Sequence, residues 1–207
     1  MIKLAPLAAL AAVALLASPA RAALKVGATA PAFVAKGAMA GKPITFDLKK
    51  ALKKGPVVLY FFPKAFTQGC TLEANAFAEA MPEFKKAGAQ VVGLSADDID
   101  TLKDFSTKEC RDAFPVAMAS PATIEAYDVA LVMNGNATGA SDRTSYVIAP
   151  DGKILHVHSK SDPTEHVSAT LGAVKAFVAQ HPEFIIDRSR EKYVMTYNPM
   201  GYLLRQK

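Results

Sequence analysis

The stretch YFFPKAFTQGCT, residues 60–71, decides the fold of this 207-residue chain. Three aromatic residues end at Pro63, a short loop reaches Thr67, and Cys70 follows where the sequence pattern becomes helical. The N-terminus of a helix presents free N–H groups and the positive end of the helix dipole, which stabilise an anion. Because the thiolate is the reactive form of cysteine, this placement favours a nucleophilic Cys70.

Strand and helix patterns alternate around this stretch. Residues 57–62 form a nearly continuous apolar run, which is typical of a central strand covered on both faces. Apolar side chains recur every three or four positions over residues 71–87 and predict a helix that Gly88 ends. Residues 90–95 predict the next strand, and the helix predicted after it carries Cys110.

Several further segments complete the predicted order. They are a hairpin around Gly37 and Gly41, an extended piece at 114–118, a helix at 121–127, a hairpin at 144–158 and a final helix at 165–180. Residues 134–140 are polar and contain glycine, so we expect a mobile loop that edges a pocket. This order predicts an α/β fold of the thioredoxin-like type, with a mixed central sheet and flanking helices.

The first 22 residues have the pattern of a secretory signal peptide. A basic start precedes an apolar core at residues 4–16, and a small-x-small ending favours cleavage after Ala22. An uncleaved membrane anchor is the alternative, but the apolar core is short for a span of about 20 residues. We therefore expect a signal peptide at 1–22, a single domain at 23–182 and a C-terminal extension of unknown role at 183–207.

Composition and charge exclude some partners. Removal of Lys3 and Arg21 with the signal peptide lowers the formal charge from +5 to +3, and no long basic block remains. This gives no reason to expect nucleic-acid binding, and we expect no stable membrane insertion after cleavage. We expect an exported protein, most simply a periplasmic one.

The chain has two cysteines, Cys70 and Cys110. In an exported protein they could form a structural disulfide or a redox pair that opens and closes. The setting of Cys70 favours the redox pair.

Several motifs together resemble the peroxiredoxins, and among them the bacterioferritin-comigratory, or peroxiredoxin Q, branch. The motifs are residues 60–64, 67–73 and 93–95, and Arg143 followed by residues 151–154. The resemblance implies a thiol-dependent peroxidase that reduces hydrogen peroxide and organic hydroperoxides, with no cofactor and no metal. It implies that Cys70 attacks the peroxide, that Thr67 bridges peroxide and thiolate, that Pro63 shields the loop, and that Arg143 holds the thiolate charge.

The chain also departs from this family pattern. Many members carry a resolving cysteine five residues after the peroxidatic one, and Asn75 stands there in this chain. The resemblance leaves Cys110 as the resolving candidate, with a thioredoxin-like protein as reductant. A disulfide needs Cα atoms within about 7 Å, so local unfolding would accompany it. If Cys110 cannot reach Cys70, an external thiol resolves Cys70 and Cys110 is a buried apolar residue. A monomer or a homodimer is expected.

Three other functions remain open at this stage. An exported thiol-disulfide oxidoreductase normally has Cys-x-x-Cys, which this chain lacks. A copper-binding protein would want more ligands than His156 and His158, which share one strand face. A non-enzymatic binding domain would not need the Pro63, Thr67, Cys70 and Arg143 set. For Glu73, contact with Arg143, interaction with the helix N-terminus and simple exposure all remain possible interpretations.

Overall fold

The computed structural model describes residues 23–182 and the backbone of two short strands beyond them. In chain order the elements are β1 (Val34–Met39), β2 (Lys42–Asp47), α1 (Leu48–Leu52), β3 (Val57–Phe61), α2 (Gln68–Lys86), β4 (Gln90–Ser95), α3 (Ile99–Lys108), β5 (Val116–Met118), α4 (Pro121–Ala126), β6 (Ala130–Met133), β7 (Asn136–Ser141), β8 (Thr144–Ile148), β9 (Ile154–Ser159), α5 (His166–Gln180), β10 (Thr196–Tyr197) and β11 (Leu203–Leu204). The predicted signal peptide and most of the predicted extension lie outside the described residues.

A mixed sheet of seven strands forms the centre, in the order β2-β1-β5-β4-β3-β8-β9. Strand β3 pairs in parallel with β4, and β4 with β5, whereas β8 runs antiparallel to β3 and β9 antiparallel to β8. Every residue of β3 is fully buried, as its continuous apolar run predicts.

Alternation along β3 divides the core into two layers. Val58 and Tyr60 face a cluster with apolar residues of α2, α3 and α5. Val57 and Leu59 face a second cluster, closed by residues of α1 and α4. The predicted mixed sheet with flanking helices is therefore present. None of the helices within the described part of the chain is long and apolar enough to span a membrane.

Two local predictions are wrong. Residues 134–140 do not form an irregular loop, since most of them form strand β7, which pairs with β6 across a turn at Asn134-Gly135. Both turn residues have positive φ, as a tight hairpin turn requires. The helix predicted to carry Cys110 ends at Lys108, and Arg111 and Asp112, just beyond Cys110, adopt left-handed conformations (φ 50° and 55°) that a right-handed helix cannot include. Cys110 therefore lies in the turn after α3.

The sheet register brings distant parts of the chain to one edge. Phe61, the last residue of β3, pairs with Thr144, the first residue of β8. The loop that leads from β3 into α2 and the residue that precedes β8 consequently meet at the same end of the sheet. Ligand and active sites of open α/β sheets lie at such carboxyl ends of parallel strands.

Candidate active site

Cys70 is the third residue of α2, and Thr67 occupies the N-cap position before the helix. The Cys70 side chain is buried, with 1% exposure, and its thiol is free. The loop before the helix is anchored from the segment that follows β4, because Ala65 N–H donates to Asp97 Oδ2 at 2.7 Å. The predicted position of Cys70 at a helix N-terminus, where an anion is stabilised, is thus the observed one.

Arg143, the residue before β8, uses all three nitrogens of its guanidinium. Nη2 lies 3.4 Å from Cys70 Sγ, Nη1 donates to Glu73 Oε2, and Nε donates to the Ser161 carbonyl at 2.9 Å. Burial opposes its charge, but the negative charges of Glu73 and Cys70 raise the pKa of Arg143 above its ordinary value. A permanent cation is therefore held against the thiol by contacts with two other elements.

Glu73 lies one helical turn after Cys70 and is completely buried. Of the three interpretations left open by the sequence, the structure shows contact with Arg143, and simple exposure is wrong. Burial raises the pKa of Glu73 to about 8, although Arg143 acts in the opposite direction. Its second oxygen, Oε1, is buried and has no hydrogen-bond partner.

His166 is a site residue that the sequence analysis missed. It is the first residue of α5 and is fully buried, with Nδ1 2.8 Å from Ser145 Oγ and 3.5 Å from Glu73 Oε1. Its Nε2 donates to the Lys160 carbonyl at 2.9 Å. Burial lowers the pKa of His166 to about 4. The only available signal was its i, i+4 spacing with Thr170 and Val174, which marks the core face of α5.

A cavity of about 230 Å³ opens beside Arg143. It is lined by Pro63, Leu131, Asp142, Arg143 and residues 159–161. The predicted site residues Pro63 and Arg143 therefore share a cavity next to Cys70. Leu131 belongs to the β6–β7 hairpin. A pocket edge was predicted for a loop at residues 134–140, and the neighbouring strand β6 of this hairpin lines the cavity instead.

Thr67 is the last residue of the loop before α2 and is exposed. Its hydroxyl donates to the Lys64 carbonyl at 2.9 Å, and its carbonyl accepts the N–H of Thr71 at 2.9 Å. The next residue back, Phe66, has a φ of 61° and packs edge-to-face on Phe105 at 5.2 Å. The hydroxyl is thus held by the loop, three residues before Cys70.

Cys110 is fully buried, and its thiol is free. Both cysteines belong to the core cluster around α2, together with Tyr60, whose pKa is raised first by burial and then by Cys110, Glu73 and Cys70. Burial also raises the pKa of the Cys110 thiol. The structure thus places the two cysteines in one core layer without a disulfide between them.

His156 and His158 lie on β9 with their rings 6.5 Å apart. His158 also contacts His166 edge-to-face at 4.5 Å. Within residues 23–182 there is no group of three histidine, cysteine or acidic side chains arranged to hold a metal ion.

A larger cavity, of about 860 Å³, lies at the opposite end of the sheet. It is bordered by β2, α1 and the last turns of α2, and its ionisable lining groups are Asp47 and four lysines. No predicted site residue lines it. The candidate site therefore lies at the smaller cavity, because its lining residue Arg143 contacts the Cys70 thiol and the Glu73 carboxyl group.

Comparison with protein families gives one extensive match. The AhpC/TSA family model matches residues 26–157, which include Cys70, Cys110 and Arg143. A second model, rhamnosyl O-methyltransferase/CmcI, matches residues 135–206, about a third of the chain, and does not include Cys70. Because of this limited extent, the second match assigns no function.

Similar proteins and structures agree with the first match. Peroxiredoxin Bcp of Xanthomonas campestris pv. campestris is 33% identical, over 66% of this chain and 93% of that protein. Peroxiredoxin Bcp of Escherichia coli K12 is 33% identical, over 58% and 78%. Peroxidoxin BcpB from Mycobacterium tuberculosis superposes with a TM-score of 0.66 at 30% identity, over 74% of this chain and 97% of that one. Peroxiredoxin Q of X. campestris gives 0.60 at 31%, over 68% and 89%. The predicted thioredoxin-like fold is confirmed.

Proposed function

This chain belongs to the AhpC/TSA family, with relatives named Bcp and peroxiredoxin Q, and we propose that Cys70 is its peroxidatic cysteine and Cys110 its resolving cysteine. The protein is a thiol-dependent peroxidase and an oxidoreductase. An exported thiol-disulfide oxidoreductase and a non-enzymatic redox or metal-binding protein, the alternatives considered from the sequence, are not favoured by these relatives.

The single observation that carries the peroxidatic role of Cys70 is the 3.4 Å contact between Arg143 Nη2 and Cys70 Sγ. An exposed ion pair would be the ordinary role of a lone arginine at the start of a strand. Here the guanidinium is buried against a thiol at a helix N-terminus, and both features favour the thiolate. The same cation stabilises negative charge on a peroxide oxygen as the O–O bond breaks.

The first step balances as a two-electron transfer. The Cys70 thiolate attacks one oxygen of the hydroperoxide, an S–O bond forms, and the O–O bond breaks. Cys70 becomes a sulfenic acid, and the departing oxygen takes a proton to leave as water or an alcohol. Thr67 orients the peroxide, and Pro63, which has no N–H, shields the loop.

In the second step, the Cys110 sulfur attacks the Cys70 sulfenic acid, which forms a disulfide and releases water. Cys110 must leave its buried position to react, because burial raises the pKa of its thiol and keeps it protonated. Two contacts hold its turn against α2: Asn75 Nδ2 donates to Glu109 Oε2 at 3.1 Å, and Arg111 pairs with Glu79 at 3.2 Å. Opening would break these two contacts and withdraw Cys110 from the core cluster that it shares with Cys70.

Regeneration needs an external dithiol, for which we propose a thioredoxin-like protein. That dithiol supplies two electrons and two protons and returns both cysteines to thiols. The predicted signal peptide at 1–22 supports export to the periplasm, where disulfides persist. The domain limits 23–182 and the choice between monomer and homodimer remain predictions.

Intact and peptide mass spectrometry tests the cycle. The reduced wild-type protein and its Cys70→Ser variant are each treated with a slight excess of hydrogen peroxide. We expect a Cys70–Cys110 crosslink that Cys70→Ser abolishes. Sulfenic or overoxidised Cys70 with Cys110 still free would replace internal resolution by an external thiol. The peroxidatic role of Cys70 is overturned if peroxide leaves Cys70 unchanged.

A further inference from the structure

The hydrogen bonds of His166 determine which of its ring nitrogens carries a proton. Nε2 lies 2.9 Å from the carbonyl of Lys160, and a carbonyl can only accept, so Nε2 carries hydrogen. In the neutral ring Nδ1 is then an acceptor, and the Ser145 hydroxyl at 2.8 Å can donate to it. The lone pair of Nδ1 can then accept from Ser145, and Glu73 Oε1 lies 3.5 Å from the same nitrogen.

The contact between Nδ1 of His166 and Oε1 of Glu73 lacks a proton in this state. The two atoms are 3.5 Å apart, both side chains are fully buried, and Oε1 has no hydrogen bond. A carboxylate oxygen facing a nitrogen lone pair is repulsive, and a buried unpaired carboxylate oxygen costs desolvation energy. One added proton removes both penalties, whichever of the two atoms holds it.

We propose that His166 is a positioning residue for the peroxidase reaction: it shares one buried proton with Glu73, so that the Glu73–His166 pair carries no net charge beside Arg143 and the Cys70 thiolate. The proposal rests on the proposed role of Cys70. Arg143 contacts Cys70 and Glu73 through separate nitrogens, so a negative Glu73 competes with the thiolate for one cation. A neutral pair leaves that positive charge to the thiolate.

The charge balance of the buried site supports this arrangement. A thiolate, a guanidinium and a neutral pair sum to zero, whereas an ionised Glu73 leaves one excess negative charge in a dry environment. Burial raises the pKa of Glu73 and lowers that of His166, so both shifts favour a proton on Glu73 and a neutral His166. The other ionisable neighbours are Tyr60 at Glu73, and His158 and Asp162 at His166.

The pH profile of Cys70 alkylation tests the proposal without peroxide. All variants carry Cys110→Ser, so that Cys70 is the only thiol. His166→Leu removes the partner that shares a proton with Glu73, so Glu73 is expected to ionise and to compete with the thiolate for Arg143. The midpoint of the profile should then rise by about one pH unit, which is a tenfold loss of thiolate at pH values below the midpoint. Glu73→Gln imitates the protonated acid and should leave the midpoint close to that of the parent.

The double variant separates positioning from structural damage. If His166 acts through Glu73, His166→Leu should have no effect on the midpoint in the Glu73→Gln background. An equal shift in both backgrounds, or none in either, overturns the proposal. Failure of peroxide to oxidise Cys70 in a protein with the expected profiles would instead overturn the peroxidatic role alone.

A spectroscopic measurement on the unsubstituted protein covers variants that fail to fold. We expect, near neutral pH, either the infrared C=O band of a protonated carboxylic acid that Glu73→Gln abolishes, or an imidazolium signal of His166 in nitrogen NMR. A carboxylate together with a neutral imidazole overturns the proposal.

Discussion

At the scale of single residues, the shape of one guanidinium organises the site. Arg143 reaches a carbonyl on the segment after β9, a carboxyl group on α2 and the thiol of Cys70. These three acceptors lie in different directions, and only a planar fork with several donors satisfies them together. The requirement for arginine at position 143 therefore follows from the directions of these three acceptors as much as from the positive charge.

This geometry predicts that Arg143→Lys is not a conservative change. Lysine keeps the positive charge but cannot bind the Ser161 carbonyl, Glu73 and Cys70 together, so we expect the second-order rate of peroxide reduction to fall about 100-fold. Stopped-flow measurement of the peroxide reaction would show it. The matched control is Arg111→Lys at the exposed ion pair with Glu79, which should keep the wild-type rate.

The site residues differ in how far the sequence could predict them. Cys70 was predictable from local information, because an apolar strand, a proline and a helical pattern surround it. Arg143 was predictable only through the family resemblance, since its contact with α2 depends on the register of β8 on β3. His166 was not predictable, because its partners are a serine on β8, a backbone carbonyl and an acid on α2.

At the scale of elements, the close approach of β1 to β5 depends on a missing side chain. A Cβ atom on Gly37 would lie 2.4 Å from the Val116 carbonyl, which is a backbone atom that cannot rotate away. Gly172, on the exposed face of α5, has nothing within 4 Å of the equivalent position. The same substitution should therefore have opposite effects in these two elements.

We expect Gly37→Ala to destabilise the fold by about 2 kcal/mol through overpacking against β5. Gly172→Ala should stabilise it by about 0.5–1 kcal/mol, because alanine loses less backbone entropy in a helix than glycine does. Urea unfolding curves recorded under reducing conditions measure both. Equal shifts of the two midpoints would contradict the close packing of β1 on β5.

The elements that sequence analysis missed share a physical cause. Strand β7 is exposed over Asn136–Gly139 and has few apolar residues, so no alternation marks it, and only the Asn134-Gly135 turn indicates the hairpin. The end of α3 depends on two non-glycine residues in left-handed conformation, which no sequence pattern specifies. By contrast, the long periodic pattern of α2 and the apolar run of β3 were sufficient to predict both elements.

At the scale of the whole molecule, two buried groups make folding stability depend on pH in opposite directions. Burial raises the pKa of Glu73 from 4.5 to about 8, so the folded state holds its proton longer than the unfolded state, and stability falls as pH rises through this window. Burial lowers the pKa of His166 from 6.5 to about 4, so stability rises with pH between these values. Between pH 4.5 and 6.5 the two effects oppose each other.

The contribution of this pair should therefore be level from about pH 4.5 to 6.5 and should fall by about 2 kcal/mol from pH 6.5 to 8, where only Glu73 still titrates. Glu73→Gln should remove that fall and leave a rise up to pH 6.5 followed by a plateau. Unfolding free energies measured in urea at a series of pH values give both curves. Glu79→Gln, an exposed change on the same helix, should keep the shape of the wild-type curve. If Glu73→Gln loses stability in parallel with wild type above pH 6.5, Glu73 is already ionised there, and the assignment of a neutral buried acid beside Arg143 is wrong.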